Sequence, residues 1–439
     1  MMRLNKYTRD YTIEGYHILF NLTNEKLLIM SDESFTLIMD NINNLDEGLA
    51  KIHPSLYQQL KKDGMIVDNA TDETRQLIDA WQQEDIAPKD VKITVNPTLQ
   101  CNLRCWYCYE NHEATKMSDE VRSATERLID RKLAIDSIER LIISFFGGEP
   151  LLYFDQIVAP LIDHAVKACA DSGKLLSIGF TTNGVLIKER ICEYLKATGA
   201  SISMQITLDG NREQHNKTRF LPGNRPTYDI IIRNIRMVLS YGFQVNVRLN
   251  YTSRNFEGFA EISDEFEDLS PVEKKNLTCD FHKVWQEESL QDVERTVADT
   301  HETFLSKGFI SSNDALGIST GRCYADYAEN VVVNYNGNIY RCTARDFTKA
   351  TSEGILKEDG TIELNKRGEK RNEIKFGDYV CRECRIFPIC HNGCSQDKLE
   401  SNIIDRCPRG YSDDMKESVA RAKAEKKLID YVLKRTNQM

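Results

Sequence analysis

Six short apolar runs between residues 90 and 286 alternate with amphipathic stretches, and this alternation limits the possible folds more than any other feature. The runs are "VKITVNP", "RLIISFF", "LLSIGFTTN", "SISMQITLD", "QVNVRLNYT" and "NLTCDFHKV". Strands separated by helices in this way build a parallel sheet of the α/β class. Six units predict a partial (β/α)6 TIM-like barrel, whose functional residues lie at the carboxyl ends of the strands.

The residues before the barrel predict a separate module over 1–90. Two strands, "YHILFNL" and "LLIM", flank the turn "TNEK", Asp32 can cap the next helix, and "SLYQQLKKDGMIVD" predicts a helix that stops at Gly64. This order favours a winged-helix-like fold. DNA binding is the usual role of such a fold, but nine basic against sixteen acidic residues have the wrong sign for phosphates. We therefore expect a module at 1–90, the barrel at 91–310 and a cysteine-rich domain with a charged terminal helix at 311–439.

Overall charge and hydropathy narrow the partners and the compartment. The net charge is -10, which argues against nucleic acid and favours a peptide or small molecule. No run approaches the roughly 20 apolar residues of a membrane helix, and no signal-peptide core is present, so we expect a cytoplasmic protein. Thirteen cysteines in a reducing compartment indicate metal ligands rather than disulfides. Three of them, Cys169, Cys192 and Cys279, lie in apolar patterns and are expected to be buried.

A cysteine triplet follows the first predicted strand. Cys101, Cys105 and Cys108 form a C-x3-C-x2-C array, with no His or fourth Cys nearby in the sequence. A [4Fe-4S] cluster takes one thiolate per iron, so three thiolates leave one iron open. The alternative is structural zinc, which normally has four protein ligands.

This array, with Tyr107 before its last cysteine, resembles the signature of radical S-adenosylmethionine (radical SAM) enzymes. The resemblance implies that the open iron chelates the amino and carboxylate groups of S-adenosylmethionine, whose reductive cleavage gives a 5'-deoxyadenosyl radical that abstracts hydrogen. The positions that resemble the family's cofactor contacts are Tyr107, Gly147, Gly148, Glu149, Thr182, Asn183, Gln205, Thr207 and Arg248. For Thr182, Gln205 and Arg248 the alternative is an ordinary polar residue at a strand end. The stretch "LDGNREQHNKTR" also resembles the family, although Asn216 stands where Asp is usual.

The second cysteine group resembles the SPASM domain, an extension of radical SAM enzymes with two auxiliary [4Fe-4S] clusters. The resemblance implies three clusters in all and the following ligands: Cys381, Cys384, Cys390 and Cys407 for the outer auxiliary cluster, and Cys323, Cys342 and Cys394 for the inner one. The inner cluster then lacks a fourth cysteine ligand. A zinc ribbon of Cys381, Cys384, Cys390 and Cys394 is the alternative.

Together these features resemble the maturases of ribosomally made peptides. The resemblance implies a precursor peptide whose leader adds a strand to the N-terminal module, an intramolecular carbon–carbon, ether or thioether crosslink, and an external electron donor such as flavodoxin or ferredoxin. Two further candidates are an anaerobic sulfatase maturase and a peptide epimerase. Against the sulfatase maturase stand the N-terminal module and Thr343, where those enzymes carry Asp.

A role from another class is a non-enzymatic electron carrier or peptide-binding adaptor, against which the intact "CNLRC", "GGEP" and "TTNG" motifs count. The catalytic base is not identified. Five polar residues could act on substrate near the barrel mouth or the inner cluster, although a structural role is the main expectation for each: Asp280, His282, Tyr324, Asp326 and Asp346.

Overall fold

The computed structural model describes residues 1–436 except 111, 257, 285, 287–290, 314–320, 377–378 and 402–405. The strands are β1 (Met2–Leu4), β2 (Thr8–Ile13), β3 (Tyr16–Asn21), β4 (Lys26–Met30), β5 (Ile66–Asp68), β6 (Asp90–Val95), β7 (Arg140–Phe145), β8 (Leu175–Thr182), β9 (Ser201–Leu208), β10 (Phe220–Leu221), β11 (Arg225–Pro226), β12 (Gln244–Tyr251), β13 (Leu277–Lys283), β14 (Ile310–Asn313), β15 (Val331–Val333), β16 (Asn338–Tyr340), β17 (Gly354–Leu356) and β18 (Ile362–Leu364).

The α-helices are α1 (Asp32–Asp40), α2 (Ala50–Ile52), α3 (Pro54–Lys62), α4 (Glu73–Ile86), α5 (Asp119–Leu133), α6 (Ala159–Ser172), α7 (Glu189–Ala197), α8 (Arg212–Thr218), α9 (Tyr228–Ser240), α10 (Pro271–Lys275), α11 (Gln291–Ser306), α12 (Lys366–Ile374), α13 (Tyr379–Arg382), α14 (Phe387–Cys390), α15 (Ser395–Ser401) and α16 (Asp413–Thr436). Within the described ranges, none of these helices has the length and apolar character needed to cross a bilayer.

The chain forms two compact units. The first, called the barrel unit here, consists of Glu84–Leu316 and Tyr324–Asn372. The second, called the terminal unit, consists of Met1–Gln83, Gly317–Cys323 and Glu373–Met439. Both ends of the chain therefore belong to the same unit.

The barrel unit is built on the predicted parallel sheet. Strands β6, β7, β8, β9, β12 and β13 are neighbours in this order, and all pairings between them are parallel. The six predicted strands and the α/β fold class are thus confirmed. Among the described residues β6 and β13 do not pair with each other, so the barrel stays open.

Additional strands extend both edges of this sheet. Strand β14 runs parallel to β13 at one edge, and β15 runs parallel to β6 at the other. From β15 the sheet continues through the antiparallel strands β16, β17 and β18. The turn "NGN" joins β15 to β16 in a hairpin, where Gly337 has a φ of 80°.

Apolar side chains on the strands and on the helices that cover them form the core of the barrel unit. Val91, Ile93 and Val95 of β6 are fully buried, as are Leu161 and Ile162 of α6. Each such side chain stabilises the fold by about 1.5–3 kcal/mol. The predicted burial of Cys169, Cys192 and Cys279 is confirmed, because all three lie in this core as free thiols.

The N-terminal part of the terminal unit is a small antiparallel sheet with helices. Strands β2, β3 and β4 pair in this order, and β1 pairs with β5. The predicted ribbon is β3 and β4, and the predicted helix and strand around Gly64 are α3 and β5. The cap prediction was wrong by one residue: Ser31, not Asp32, accepts the hydrogen bond from the Ser34 N–H that begins α1.

The two ends of the chain share a hydrophobic core in the terminal unit. Tyr7, Ile18 and Phe20 from the N-terminal sheet and Trp81 from α4 are buried in one cluster with side chains from the C-terminal segment. The C-terminal members that are buried are Cys381, Ile386, Phe387, Ile389, Ala420, Ala424 and Leu428. The last three lie on α16, so the charges predicted on this helix leave one apolar face for packing.

Candidate active site

The carboxyl ends of the parallel strands surround a cavity of about 890 Å³ in the barrel unit. The predicted site residues that line it are Cys101, Cys105, Tyr107, Cys108, Gly147, Gly148, Thr182, Asn183, Gln205, Thr207 and Arg248. Glu149 is fully buried beside Thr182 and Asn183. The structure therefore brings the first cysteine group and the predicted cofactor contacts together, and all belong to the barrel unit.

The three cysteines lie on the loop after β6 as free, partly buried thiols. Burial raises the pKa of Cys101 to about 12 and that of Cys108 to about 11. Within the part of the chain that the structure describes, no three Cys, His, Asp or Glu side chains gather around the position of a single metal ion. A four-iron cluster places each thiolate on a different iron and supplies the positive charge that buried thiolates need. The donor set thus fits such a cluster better than a zinc ion.

Two glycines after β7 allow the cysteine loop to lie directly against this strand. A Cβ atom on Gly148 would overlap the carbonyl oxygens of Leu99 and Gln100, and one on Gly147, which has a φ of 103°, would overlap that of Thr98. Main-chain hydrogen bonds from Gly148 to Thr98 (3.1 Å) and from Glu149 to Gln100 (2.9 Å) hold this contact. The close approach that glycine permits here is therefore to the cysteine loop.

The Glu149 carboxylate ties β7 to β8. It accepts hydrogen bonds from the Thr182 hydroxyl (2.8 Å), the Asn183 N–H (2.8 Å) and the Leu151 N–H (3.0 Å). Burial raises the pKa of Glu149 to about 7, although these hydrogen bonds favour the ionised form. The Asn183 side chain in turn donates to the Asn102 side-chain oxygen (2.7 Å), which connects β8 to the cysteine loop.

A buried network fixes Tyr107, the aromatic residue of the cysteine loop. Its hydroxyl donates to Asp209 (2.6 Å) and accepts from Arg219 (2.6 Å) and Asn250 (3.1 Å). Asp209 and Arg219 also form an ion pair of 3.0 Å. The main-chain carbonyl of Tyr107 also accepts from the Gln286 side chain (2.8 Å), so protein contacts fix both the ring and the main chain of this residue at the cavity wall.

The stretch "LDGNREQHNKTR" supplies most of this network. The buried His215 ring accepts from the Asp209 N–H through Nδ1 (3.2 Å), and its Nε2 lies 3.1 Å from the Thr227 hydroxyl. The side-chain oxygen of Asn216 accepts from the N–H groups of Thr227 (2.9 Å) and Tyr228 (3.1 Å). An Asn oxygen makes the same bonds that an Asp oxygen would make, so the departure from the family pattern keeps this turn intact.

The remaining predicted contacts stand on adjacent strands. Thr207 of β9 is the register partner of Arg248 of β12, and Gln205 is the partner of Asn246. Arg248 donates from Nε to the Asn250 side-chain oxygen (2.9 Å). Asp280 of β13 accepts from the Asn246 side chain (2.6 Å), a bond that gives it a structural role.

The loop after β16 meets the cysteine loop at the mouth of the cavity. The Tyr109 hydroxyl donates to the Thr343 carbonyl (2.7 Å), and the Thr343 N–H donates to the Tyr324 hydroxyl (2.7 Å). Beside these residues lies Glu110, a lining residue that sequence reasoning missed. Burial, together with the nearby Asp346 carboxylate, raises the pKa of Glu110 to about 8. The only sequence signal for Glu110 is its position two residues after Cys108.

Residues 95–268 match the family model of the Radical SAM superfamily. The chain carries a radical SAM domain. It spans β6 to β12 and thus contains the cysteine loop, both glycines and the Asp209–Arg219 pair. The radical SAM family implies a [4Fe-4S] cluster and S-adenosylmethionine, and the donors described above fit both groups.

Two curated relatives that match more than two thirds of this chain are sulfatase maturases. The cysteine-type anaerobic sulfatase-maturating enzyme of Clostridium novyi (strain NT) is 23% identical over 363 residues, which are 74% of this chain and 92% of that protein. The serine-type enzyme of Bacteroides thetaiotaomicron is 19% identical over 364 residues, 71% of this chain and 84% of that protein. The solved structure of native anSMEcpe with bound AdoMet and Kp18Cys peptide has a TM-score of 0.56 at 20% identity, and covers 80% of this chain and 100% of that one. This structural likeness shows a shared fold.

The second cysteine group lies outside the radical SAM domain and mainly in the terminal unit. Cys381 and Cys384 are joined by a main-chain hydrogen bond. Burial raises the pKa of the Cys390 thiol, and the nearby thiols of Cys384 and Cys407 raise it further. Cys323 and Cys394 belong to the terminal unit as well, whereas Cys342 belongs to the barrel unit. The four cysteines predicted for the outer cluster are thus all in one unit.

Replacing Gly148 with alanine tests the contact between the GGEP segment and the cysteine loop of the radical SAM domain. We expect a loss of about 1–3 kcal/mol in the free energy of unfolding, because the new methyl group overlaps two main-chain oxygens. Urea denaturation and the iron content after anaerobic reconstitution measure the effect. Gly173→Ala is the control: alanine is strained there by a φ of 66°, but its Cβ meets no atom within 4 Å, so a smaller loss is expected. Equal losses in both variants would contradict the interpretation.

Proposed function

We propose that this radical SAM enzyme is a maturase that crosslinks a ribosomally made precursor peptide. The observation that carries the proposal is the cavity of about 890 Å³ at the ends of the parallel strands. Pockets for one drug-sized ligand span roughly 300–1,000 Å³. A cavity near the upper limit has room for the cofactor and for a side chain of a peptide.

The residues around the cavity have distinct roles in this proposal. Cys101, Cys105 and Cys108 hold a [4Fe-4S] cluster, which with S-adenosylmethionine supplies hydrogen abstraction from an unactivated carbon. Thr182, Gln205, Thr207 and Arg248 orient the cofactor by hydrogen bonds at adjacent strand ends. The Tyr109–Thr343 contact helps to exclude water at the mouth. The net reaction removes two hydrogens from the peptide and closes one new bond.

The N-terminal sheet is the proposed site for the leader of the precursor. Strand β4 pairs with β3 along one side, and among the described residues its other side has no strand partner. A leader in extended conformation can add a strand at such an edge, where main-chain hydrogen bonds provide affinity and pockets for alternate side chains provide specificity.

In the terminal unit, Cys381, Cys384, Cys390 and Cys407 are the proposed ligands of an outer auxiliary [4Fe-4S] cluster. The inner cluster is assigned to Cys323, Cys342 and Cys394 with its fourth ligand open. A flavodoxin or ferredoxin is the proposed electron donor. Closing the new bond leaves one proton and one electron to be removed, and an auxiliary cluster held by these cysteines would supply the electron acceptor.

A second candidate is the conversion of a cysteine or serine in a sulfatase peptide to formylglycine. It is favoured by the sulfatase-maturating relatives of Clostridium novyi and Bacteroides thetaiotaomicron. Against it, Thr343 follows Cys342 where the sulfatase maturases carry Asp, and its hydroxyl is bonded to Tyr324 (2.7 Å). No carboxylate replaces the Asp at this position.

Mass spectrometry of peptide products tests the proposal. Reconstituted protein, S-adenosylmethionine and reductant are incubated without oxygen with the short peptide encoded beside the gene. We expect the peptide to lose the mass of two hydrogens, and fragmentation to locate the new bond. Cys101→Ala should abolish both the mass change and the release of 5'-deoxyadenosine, because it removes one of the three iron ligands.

Two other outcomes would contradict crosslinking. A peptide of unchanged mass alongside released 5'-deoxyadenosine would favour epimerisation, which deuterium uptake from solvent would reveal. Formylglycine in a sulfatase-derived cysteine peptide would favour the second candidate. Deleting the leader half of the precursor should slow crosslinking. An unchanged rate would contradict leader binding at the β4 edge but would leave the crosslinking proposal intact.

A further inference from the structure

Glu110 is a buried carboxyl group at the cavity. Its side chain is only 8% exposed, and among the described residues neither of its carboxylate oxygens has a hydrogen-bond partner. Buried polar groups in folded proteins are nearly always hydrogen-bonded, and an unpaired buried carboxyl group is among the most costly to keep. An unpaired group that lines a cavity is therefore expected to bind a donor from a ligand.

A second carboxyl group lies close to Glu110. Asp346, on the loop after β16, is close enough to Glu110 to act on it electrostatically, and no described residue is a hydrogen-bond partner of its buried Oδ1. The Tyr109–Thr343 hydrogen bond joins the two loops that carry these acids. The protein thus holds two carboxyl groups near each other, an arrangement that favours a cation beside them.

Three of the basic residues that line the cavity have other partners. Arg219 pairs with Asp209 and Tyr107, Arg248 donates to Asn250, and the ammonium of Lys92 lies 4.9 Å from the centre of the Tyr324 ring. Among the described residues that line the cavity, Glu110 is the only Asp or Glu. The cavity therefore presents one acidic point to a ligand.

We propose that Glu110, together with Asp346, binds a cationic side chain of the peptide substrate, a lysine ammonium or an arginine guanidinium. The proposal rests on the proposed function of the chain as a peptide maturase. A charge-assisted hydrogen bond to this carboxyl group satisfies its unpaired oxygens. A neutral side chain at the same place leaves the Glu110 oxygens unpaired, so the site discriminates strongly against peptides without the cation.

Binding of labelled peptides tests the assignment. The short peptide encoded beside the gene is prepared with a fluorophore, and in further copies each lysine and arginine in turn is replaced by norleucine. Fluorescence anisotropy with the reconstituted wild type, Glu110→Gln and Asp346→Asn gives the dissociation constants. Glu113→Gln is the matched control, because Glu113 is an exposed acid three residues further along the chain.

For one cationic position, we expect the norleucine peptide to bind the wild type about 10- to 100-fold more weakly than the parent peptide. Glu110→Gln should bind both peptides with the lower affinity, and Asp346→Asn should show part of this loss. Glu113→Gln should behave like the wild type. Comparing the affinities of peptides with lysine and with arginine at that position shows whether the site prefers an ammonium or a guanidinium group.

The results that would overturn the cation site differ from those that would overturn the proposed function. Equal affinity of wild type and Glu110→Gln for every peptide, or equal weakening of cationic and neutral peptides, would overturn the cation site. Cation-dependent binding that Glu110→Gln abolishes, with no change in peptide mass, would keep the site and overturn crosslinking. If the wild type binds no peptide, both proposals fail. Should Glu110→Gln lose iron, Asp346→Asn decides, since Asp346 lies outside the cysteine loop.

Discussion

Replacing Arg219 with methionine is expected to lower the free energy of unfolding of the barrel unit by about 3–5 kcal/mol. Asp209 is fully buried, and its ion pair with Arg219 is 3.0 Å long. Removing one member of a buried pair leaves the other charge desolvated and without compensation, which is the reason for an effect of this size. The Tyr107 hydroxyl would also lose a donor, so the cysteine loop should become less ordered.

Urea denaturation followed by circular dichroism measures this loss. Arg212→Met is the matched control: Arg212 also forms an ion pair, with Asp229, but its side chain is 59% exposed and the loss should stay below about 1 kcal/mol. The double variant Arg219→Met with Asp209→Asn should recover part of the stability, because no buried charge remains. If Arg219→Met alone is as stable as Arg212→Met, the buried Asp209–Arg219 pair contributes nothing to stability.

Replacing Trp81 with alanine is expected to destabilise the terminal unit by about 3–5 kcal/mol. Trp81 is 7% exposed, and its ring centre lies 5.0 Å from that of Phe387 and 4.8 Å from that of His391. These two residues flank Cys390, which belongs with Cys381 and Cys384 to the same hydrophobic cluster. The variant should therefore also bind less iron at the outer cysteines, although it changes no cysteine.

Iron content and cluster absorbance after reconstitution, together with a urea titration, measure both parts of this prediction. Ile86→Ala is the control, because Ile86 ends the same helix with its side chain 72% exposed. An unfolding midpoint that falls while the iron content stays that of the wild type would show that the cysteine segment holds its shape without the N-terminal sheet.

Sequence reasoning predicted the parts of the fold that depend on local pattern. The six parallel strands follow from apolar runs separated by helices, and the motifs "GGEP" and "TTNG" lie at strand ends because chain direction fixes which end faces the cavity. Strand β2 and the edge strand β14 were missed. Their short runs carry no distinctive period, and they pair only because the neighbouring sheet offers an edge.

The sequence indicated which residues form the site, but not the hydrogen bonds that connect them. Glu149 was expected to face the cofactor, and the structure also gives it three protein donors from β8 and the turn after β7. The bonds of Tyr107 to Asp209 and Arg219 span more than 100 residues, and no local pattern encodes them. Glu110 carries no pattern at all, since its importance arises from the partners that it lacks.

The shared core of the terminal unit also determines when this protein can fold during its synthesis. The N-terminal sheet leaves the ribosome first, but its apolar face packs on side chains of α16, and about 350 residues separate Trp81 from Leu428. At 5–20 residues per second, roughly 20–70 s pass before that helix exists. During this time the nascent chain exposes the tyrosines, isoleucines and Trp81 of an unfinished core. Expression at low temperature or with chaperones, and tags that leave both termini free to pack, should raise the yield of intact enzyme.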